Sequence, residues 1–235
     1  MPHDAVVLMP TYNERENLPS MVAEVLRTAP VDMLIIDDNS PDGTGSVADA
    51  LADQEPRVQV MHRPGKQGLG RAYLDGFRWA LDQGYKVIFE MDADFSHQPR
   101  YLPEFLREIK HYDLVLGSRY VRDGGVSNWP LHRQVISRGG SLYARSILGV
   151  TVKDLTGGFK CFRREVLESL NLDGIRSTGY AFQIEMTYRT LQAGFKVKEI
   201  PIIFYERNAG KSKMSRKIFV EAIGTVWKLK LGGPV

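Results

Sequence analysis

A chain of 235 residues, 43% hydrophobic and 25% charged, is long enough for a substantial core and is not the composition of a disordered protein. Its 31 basic and 28 acidic residues leave a net charge of +3, too weak a bias to point to nucleic acid. One cysteine, Cys161, excludes an internal disulfide and a thiolate metal cluster; it fits a reducing compartment and is expected to fill core. No charged-then-apolar signal opens the chain and no apolar run approaches the roughly 18–20 residues that span a bilayer, which disfavours secretion and membrane spanning. Without a Ser/Gly/Pro-rich linker or an internal repeat, the chain is expected to form a single domain over 1–235.

In chain order, β-type runs at Ala5–Met9, Met33–Asp37, Val58–His62, Lys86–Met91 and Asp113–Gly117 alternate with helix-like apolar spacing at Leu18–Arg27, Ser46–Ala52, Gly70–Gln83 and Tyr101–His111. The runs Val6-Val7-Leu8-Met9 and Leu34-Ile35-Ile36 read as strands buried on both faces, so the fold class is α/β with a mostly parallel, Rossmann-like sheet. Gly68-Leu69-Gly70 lacks a third spaced glycine and follows the third strand, so it reads as a tight strand-to-helix turn rather than a dinucleotide fingerprint. Past Gly117 the rhythm loosens into a helix over Gln134–Leu148, a turn at Gly157-Gly158, a helix near Gln183–Ala193 and a β-type run over Val197–Phe204. The tail Ser215–Leu231 has apolar residues at helical spacing with Arg216, Lys217, Lys228 and Lys230 near its ends; it either lies in a membrane interface or packs on the domain.

The chemistry gathers where these strands end. Strand four runs into Asp92-Ala93-Asp94-Phe95-Ser96-His97, and the turn past the carboxyl end of a strand is where open α/β sheets bind ligands. Hard carboxylate oxygens there suit Mg²⁺ or Mn²⁺, whose shells substrate phosphates and water complete; the competing reading is an ordinary helix-capping turn. After strand one stands Pro10-Thr11-Tyr12-Asn13-Glu14-Arg15-Glu16-Asn17, in which Asn13 and Glu16 resemble a capping box while Tyr12 and Glu14 could serve a base or ribose. After strand two comes Asp37-Asp38-Asn39-Ser40-Pro41-Asp42-Gly43-Thr44; Pro-Asp-Gly makes the turn, and the two aspartates before it are not required by that turn. Strand five ends in Gly117-Ser118-Arg119-Tyr120, which offers a guanidinium fork to phosphate. Arg207-Asn208-Ala209-Gly210-Lys211-Ser212-Lys213 reads as a basic, anion-closing loop or a solvated charge run.

These motifs, followed in order by Asp154-Leu155-Thr156-Gly157-Gly158-Phe159 and Gly210-Lys211-Ser212-Lys213, resemble those of polyprenol-phosphate (dolichyl-phosphate) mannose synthases, inverting glycosyltransferases of family 2 with the GT-A fold. The resemblance runs from about Val6 to about Lys217, and the last two motifs narrow it. It implies a nucleotide-sugar half over 1–118, an acceptor-binding half over 119–214 and the amphipathic tail over 215–235. It implies that Pro10, Tyr12, Glu14, Ile36 and Asp38 form the guanosine pocket, with Asp92 and Ala93 near the ribose. Asp94 is then the principal ligand of Mg²⁺ or Mn²⁺, joined by Asp92 and by Ser96, where some relatives carry Gln. Arg119, Arg133, Arg207 and Lys213 are the phosphate binders, the nucleotide side drawing on Arg119, Arg207 and Lys213 and the acceptor side on Arg119, Arg133 and Lys213. Asp94, Arg119 and Asp154 are the candidate catalytic residues, with a turn-forming role open for Asp154.

The implied reaction is attack of a polyprenyl phosphate oxygen on GDP-mannose, giving a β-linked polyprenyl phosphomannose and GDP. A phosphate monoester with a second pKa of about 6 needs no strong base, so Asp154→Asn is expected to cost far less than loss of a required base. The enzyme is expected on the cytoplasmic face of a membrane, peripherally held; a membrane-spanning partner subunit is compatible with a lipid acceptor, although the chain carries no direct sign of one. Glucose transfer from UDP-glucose to the same lipid, transfer to a polysaccharide, and a silent nucleotide-sugar-binding scaffold are the alternatives, the last disfavoured by the co-occurrence of the acidic turn and the basic loop.

Overall fold

Strands β1 (Ala5–Thr11) and β2 (Asp32–Asp37) are buried along almost their whole length, a state that requires helices on both faces of the sheet. The structure, a computed structural model, describes residues 3–206 and 224–232 and supplies those helices. With β3 (Val58–His62), β4 (Val87–Glu90), β5 (Leu114–Ser118), β7 (Lys160–Arg163) and β8 (Val197–Pro201), the two strands form a seven-stranded sheet in the order β3-β2-β1-β4-β7-β5-β8. All pairings are parallel except those of β7, which runs antiparallel between β4 and β5. Alternate residues of each strand feed opposite cores. Val6, Leu8, Leu34 and Ile36 meet α3 (Leu69–Asp82), α5 (Leu131–Leu148), α6 (Arg164–Ser169) and α7 (Gly179–Gln192), whereas Val7, Met9, Met33 and Ile35 meet α1 (Leu18–Thr28), α2 (Thr44–Gln54) and α4 (Leu102–Glu108).

β1 lies between β2 and β4, so successive crossovers leave it in opposite directions and open a crevice above the carboxyl ends of β1 and β4. Gly68, at φ +97°, makes the turn into α3 that the sequence predicts. The capping box does not form: Asn13 adopts φ +62°, and α1 begins only at Leu18, its N-cap Asn17 making no side-chain cap bond.

The run predicted over Val197–Phe204 is two strands. Pro201, without an N–H, closes β8 against Ser118; the chain bends at buried Ile202 and continues as β9 (Ile203–Tyr205), which pairs with β6 (Gly125–Ser127) in a separate two-stranded ribbon. β6, β7 and α6 were not predicted. The described part of the tail includes a helix over 224–230, here α8, whose Val226 and Leu229 pack into the core that holds Ala144 and Leu148 of α5, while Trp227 and Leu231 are exposed. Packing therefore holds for this end of the tail, and residues 215–223 lie outside the described residues. No helix among the described residues is long and apolar enough to cross a membrane.

Candidate active site

The loops after β1 and β2 are laced into one wall of the crevice. The Asn13 amide donates to Ser40 Oγ at 3.1 Å and the Glu14 amide to Thr44 Oγ1 at 3.0 Å, while Pro10 and Ile36 sit side by side in the β1–β2 register. One expectation is corrected here. Asp37 is a turn residue after all: its carboxylate accepts Ser40 N–H at 3.0 Å, Ser40 Oγ at 2.6 Å and Thr11 Oγ1 at 3.1 Å. Asp38 instead faces Arg63, a buried guanidinium just past β3 that also donates to Asp75 at 2.9 Å and to Gln67 at 3.3 Å. Burial pushes the Asp38 carboxyl up, opposed by Arg63. Tyr12 lies under the Lys66 ammonium, 3.7 Å from its ring centroid. Arg63 and Lys66 were missed by the sequence reading. The available signal was an arginine directly after a strand in a turn, His62-Arg63-Pro64-Gly65, the same pattern that marked Arg119.

At the second wall, β4 stops at Glu90 and the acidic turn folds on itself. Asp94 is buried and its Oδ1 accepts the Ser96 amide at 3.0 Å, while Phe95 takes φ +61°. The Asp92 amide donates to Nδ1 of buried His97 at 3.0 Å, so that nitrogen carries no proton in this arrangement. The His97 ring stacks on Phe159 at 5.0 Å between centroids and meets Phe204 edge-on at 5.5 Å, tying the acidic turn to the turn after Asp154 and to β9. Ala93 is buried in the turn, and the buried Ser96 hydroxyl has no hydrogen-bond partner among the described residues. No group of three or more His, Cys, Asp or Glu side chains gathers among the described residues. The oxygens this turn could offer a divalent ion are those of the Asp92, Asp94 and Ser96 side chains, hard donors of the kind that suit Mg²⁺ or Mn²⁺ completed by phosphate and water.

Opposite, at the end of β5, Arg119 is buried in a fork with fully buried Asp154: its Nε and Nη2 donate to the two carboxylate oxygens at 2.7 Å each, its amide adds a 3.0 Å bond, and Nη2 also reaches Thr156 Oγ1 at 2.8 Å. Asp154 is itself held by its backbone, since its amide donates to Glu199 Oε1 at 3.0 Å, and a Cβ on Gly157 would stand 3.2 Å from the Gly117 carbonyl oxygen. Burial raises the Asp154 carboxyl, but Arg119 outweighs it and leaves the group below the usual carboxylate range; burial likewise opposes the Arg119 charge and Asp154 outweighs it. Nε and Nη2 carry these bonds, and the guanidinium lies over an aromatic floor of Tyr120, Trp129 and Phe204 whose centroids are 5.1, 5.6 and 5.5 Å from its Cζ. Arg133, on α5, stacks on Trp129 at 4.0 Å and donates to Glu206 at 2.8 Å. The structure thus brings Arg119, Arg133 and Asp154 together. Arg207 and Lys213 lie outside the described residues.

Beneath the acidic turn, Glu90 and Lys160 face each other across β4 and β7, both fully buried. Lys160 Nζ donates to the Gln183 carbonyl at 2.8 Å and to its side-chain oxygen at 2.5 Å. Burial pushes the Glu90 carboxyl up to about 7, Lys160 pulling it back, and pulls the Lys160 ammonium down to about 8.

This geometry has relatives. Residues 6–170 match Glycosyl transferase family 2. The chain belongs to that family. Within glycosyl transferase family 2 it is 48% identical over 222 residues to the undecaprenyl-phosphate mannosyltransferase of Micrococcus luteus, covering 94% of this chain and 91% of the relative. It is 51% identical over 221 residues to the polyprenol monophosphomannose synthase of Mycolicibacterium smegmatis, covering 93% and 83%. Among solved structures, the glucosyl-3-phosphoglycerate synthase of Mycobacterium tuberculosis, in complex with Mn²⁺, uridine diphosphate and glucosyl-3-phosphoglycerate, superposes with a TM-score of 0.70 at 18% identity, over 98% of this chain and 81% of that one. A Pyrobaculum calidifontis mannosyltransferase in complex with GDP-Man and Mn²⁺ gives 0.60 at 15% identity, over 97% and 74%. The sheet, its flanking helices and the crevice are those of the GT-A fold.

Proposed function

We propose that this chain transfers mannose from GDP-mannose to the phosphate of a polyprenyl, dolichyl-type lipid with inversion at the sugar, releasing GDP. The observation that carries the reading is the pairing of an acidic turn at the end of β4 with an arginine at the end of β5 whose charge a buried carboxylate holds. The relatives at about half identity, named for transfer of mannose to undecaprenyl phosphate and for polyprenol phosphomannose synthesis, support the choice of sugar and acceptor.

The residues divide by role. Pro10, Tyr12, Glu14, Ile36 and Asp38, with Arg63 as an added member, hold the nucleoside; Asp92 and Ala93 lie by its ribose. Arg119 and Arg133 hold the acceptor phosphate, and Arg207 and Lys213 complete the phosphate-binding set. Asp94, with Asp92 and Ser96, would hold Mg²⁺ or Mn²⁺, and such an ion supplies charge neutralisation for the departing diphosphate. Asp154 does not take a proton: held below its usual range by Arg119, it is an anion that orients a guanidinium. The acceptor phosphate, largely dianionic above a second pKa of about 6, attacks without a base, so catalysis rests on holding two mutually repelling phosphates at reaction distance. A peripheral position on the cytoplasmic face of a membrane follows from a lipid acceptor and a nucleotide donor, with room for a membrane-spanning partner subunit.

The test is transfer of label from GDP-mannose into an organic extract in the presence of polyprenyl phosphate and Mg²⁺ or Mn²⁺, beside a parallel incubation with UDP-glucose. Mannose in the organic phase, lost on chelation, is the expected result. Label that stays aqueous with every lipid and metal, or that moves only from UDP-glucose, overturns the reading.

A further inference from the structure

α5 buries one side and leaves the other bare. Ser141, Ala144 and Leu148 turn into the core, while Leu131 (75% exposed), Val135 (62%), Leu142 (58%) and Ile136 (42%) stand in solvent. At 100° per residue the first three fall on a single strip about 40° wide along the helix. Single exposed apolar residues need no explanation, but a strip of large ones on a helix face does. The charges beside it have one sign: α5 contains no Asp or Glu, and Arg138 and Arg145 follow the strip along one flank. α8, whose Lys230 Nζ lies 3.8 Å from where a Gly149 Cβ would stand, adds exposed Trp227 and Leu231.

We infer that this face of α5 is the surface by which the chain docks onto an anionic lipid bilayer, the apolar strip entering the headgroup boundary and the arginines meeting lipid phosphates. An apolar face bordered by cations and free of anions fits that partner, because the bilayer rewards both features at once. The same helix carries Arg133 at its first turn and is tied to the end of β5 by a 2.6 Å bond from Tyr120 Oη to Ser137 Oγ. Docking through α5 therefore sets the acceptor arginines at headgroup level, where the phosphate of a membrane lipid lies. The inference deepens the proposed function and rests on it for that last consequence alone.

Flotation of the full chain with vesicles of phosphatidylcholine, with and without phosphatidylglycerol, tests it. The wild type is expected to float with the anionic vesicles and to stay largely behind with the neutral ones. The triple variant Leu131→Gln, Val135→Gln, Leu142→Gln and the double variant Arg138→Gln, Arg145→Gln are each expected to lower the vesicle-bound fraction about tenfold. Leu131, Val135 and Leu142 are not among the residues placed in the crevice, whereas Arg138 lies 5.7 Å from the Tyr120 ring, so circular dichroism and transfer to a short-chain, water-soluble polyprenyl phosphate are expected to stay at wild-type levels in the triple variant. A wild type that fails to float, that floats equally on both vesicles, or that floats no better than the triple variant overturns the inference. So does sedimentation showing a wild-type dimer that the triple variant converts to monomer, since the strip would then cover a second copy. A chain that floats as expected yet transfers no mannose to either acceptor leaves the docking face standing and removes the proposed function instead.

Discussion

The acidic turn and the buried Arg119–Asp154 fork make different demands on a substitution. Asp94 is the central oxygen ligand of the proposed ion, so Asp94→Asn is expected to lower kcat at least about 100-fold with the fold intact, read from turnover beside circular dichroism. Asp154→Asn should act by another route. Breaking a buried, bidentate pair costs about 3–5 kcal/mol because Arg119 is left uncompensated, so urea unfolding should show a large loss of stability. The KM for the acceptor should rise as Arg119 loses its orientation, while the pH profile of kcat keeps its shape, because no base has been removed. The sign with pH follows from the lowered Asp154 carboxyl: its stabilisation is fully present above the usual carboxylate range and is lost as pH falls below it. At this scale the sequence singled out Asp94 and Arg119 as candidates by their positions after strands. It left Asp154 open between acceptor chemistry and a turn, since nothing in Asp-Leu-Thr-Gly-Gly-Phe says which arginine, thirty-five residues earlier, the carboxylate will meet.

Among the elements, the strands with continuous apolar runs were legible and the short ones were not. β1 to β5 lie within one or two residues of their predicted limits; β1, β2, β4 and β5 are buried on both faces, and β3, the edge strand, is buried only at Val58. β7 hides in Lys160-Cys161-Phe162-Arg163, where the opening lysine argues against a buried strand; Lys160 is tolerated because Gln183 accepts its hydrogen bonds and Glu90 faces it. That pair gives a pH prediction. With its pKa raised to about 7, folded Glu90 binds a proton that the unfolded chain releases near pH 4, so stability should fall as pH rises from about 4.5 to 7. Thermal unfolding across that range is expected to show a falling Tm that Glu90→Gln removes. α5 gives a second prediction. Gly139 sits mid-helix with nothing within 4 Å of an added Cβ, so Gly139→Ala should stabilise the protein by about 0.5–1 kcal/mol, measured as a raised urea midpoint with unchanged slope.

For the molecule as a whole, the α/β class and the site at strand ends could be argued from periodicity, but the antiparallel insertion could not, because strand order is a long-range property that local spacing does not carry. The crevice joins residues from the ends of five strands, β1 to β5, so filling it should stabilise everything around it. GDP-mannose with Mn²⁺ at about 100 times Kd is expected to add about 2.7 kcal/mol and to raise Tm by about 5–10 °C, an increase that chelation or Asp94→Asn should cancel. The placement of β7 also bears on how the protein is made. Until Lys160–Arg163 has been synthesised, β4 is a raw border with no neighbour on one side, and the growing polypeptide carries a half-built sheet able to pair with other chains. Ribosome-bound intermediates ending between β5 and β7 should therefore be the aggregation-prone stage of biogenesis and the one that most needs chaperone cover.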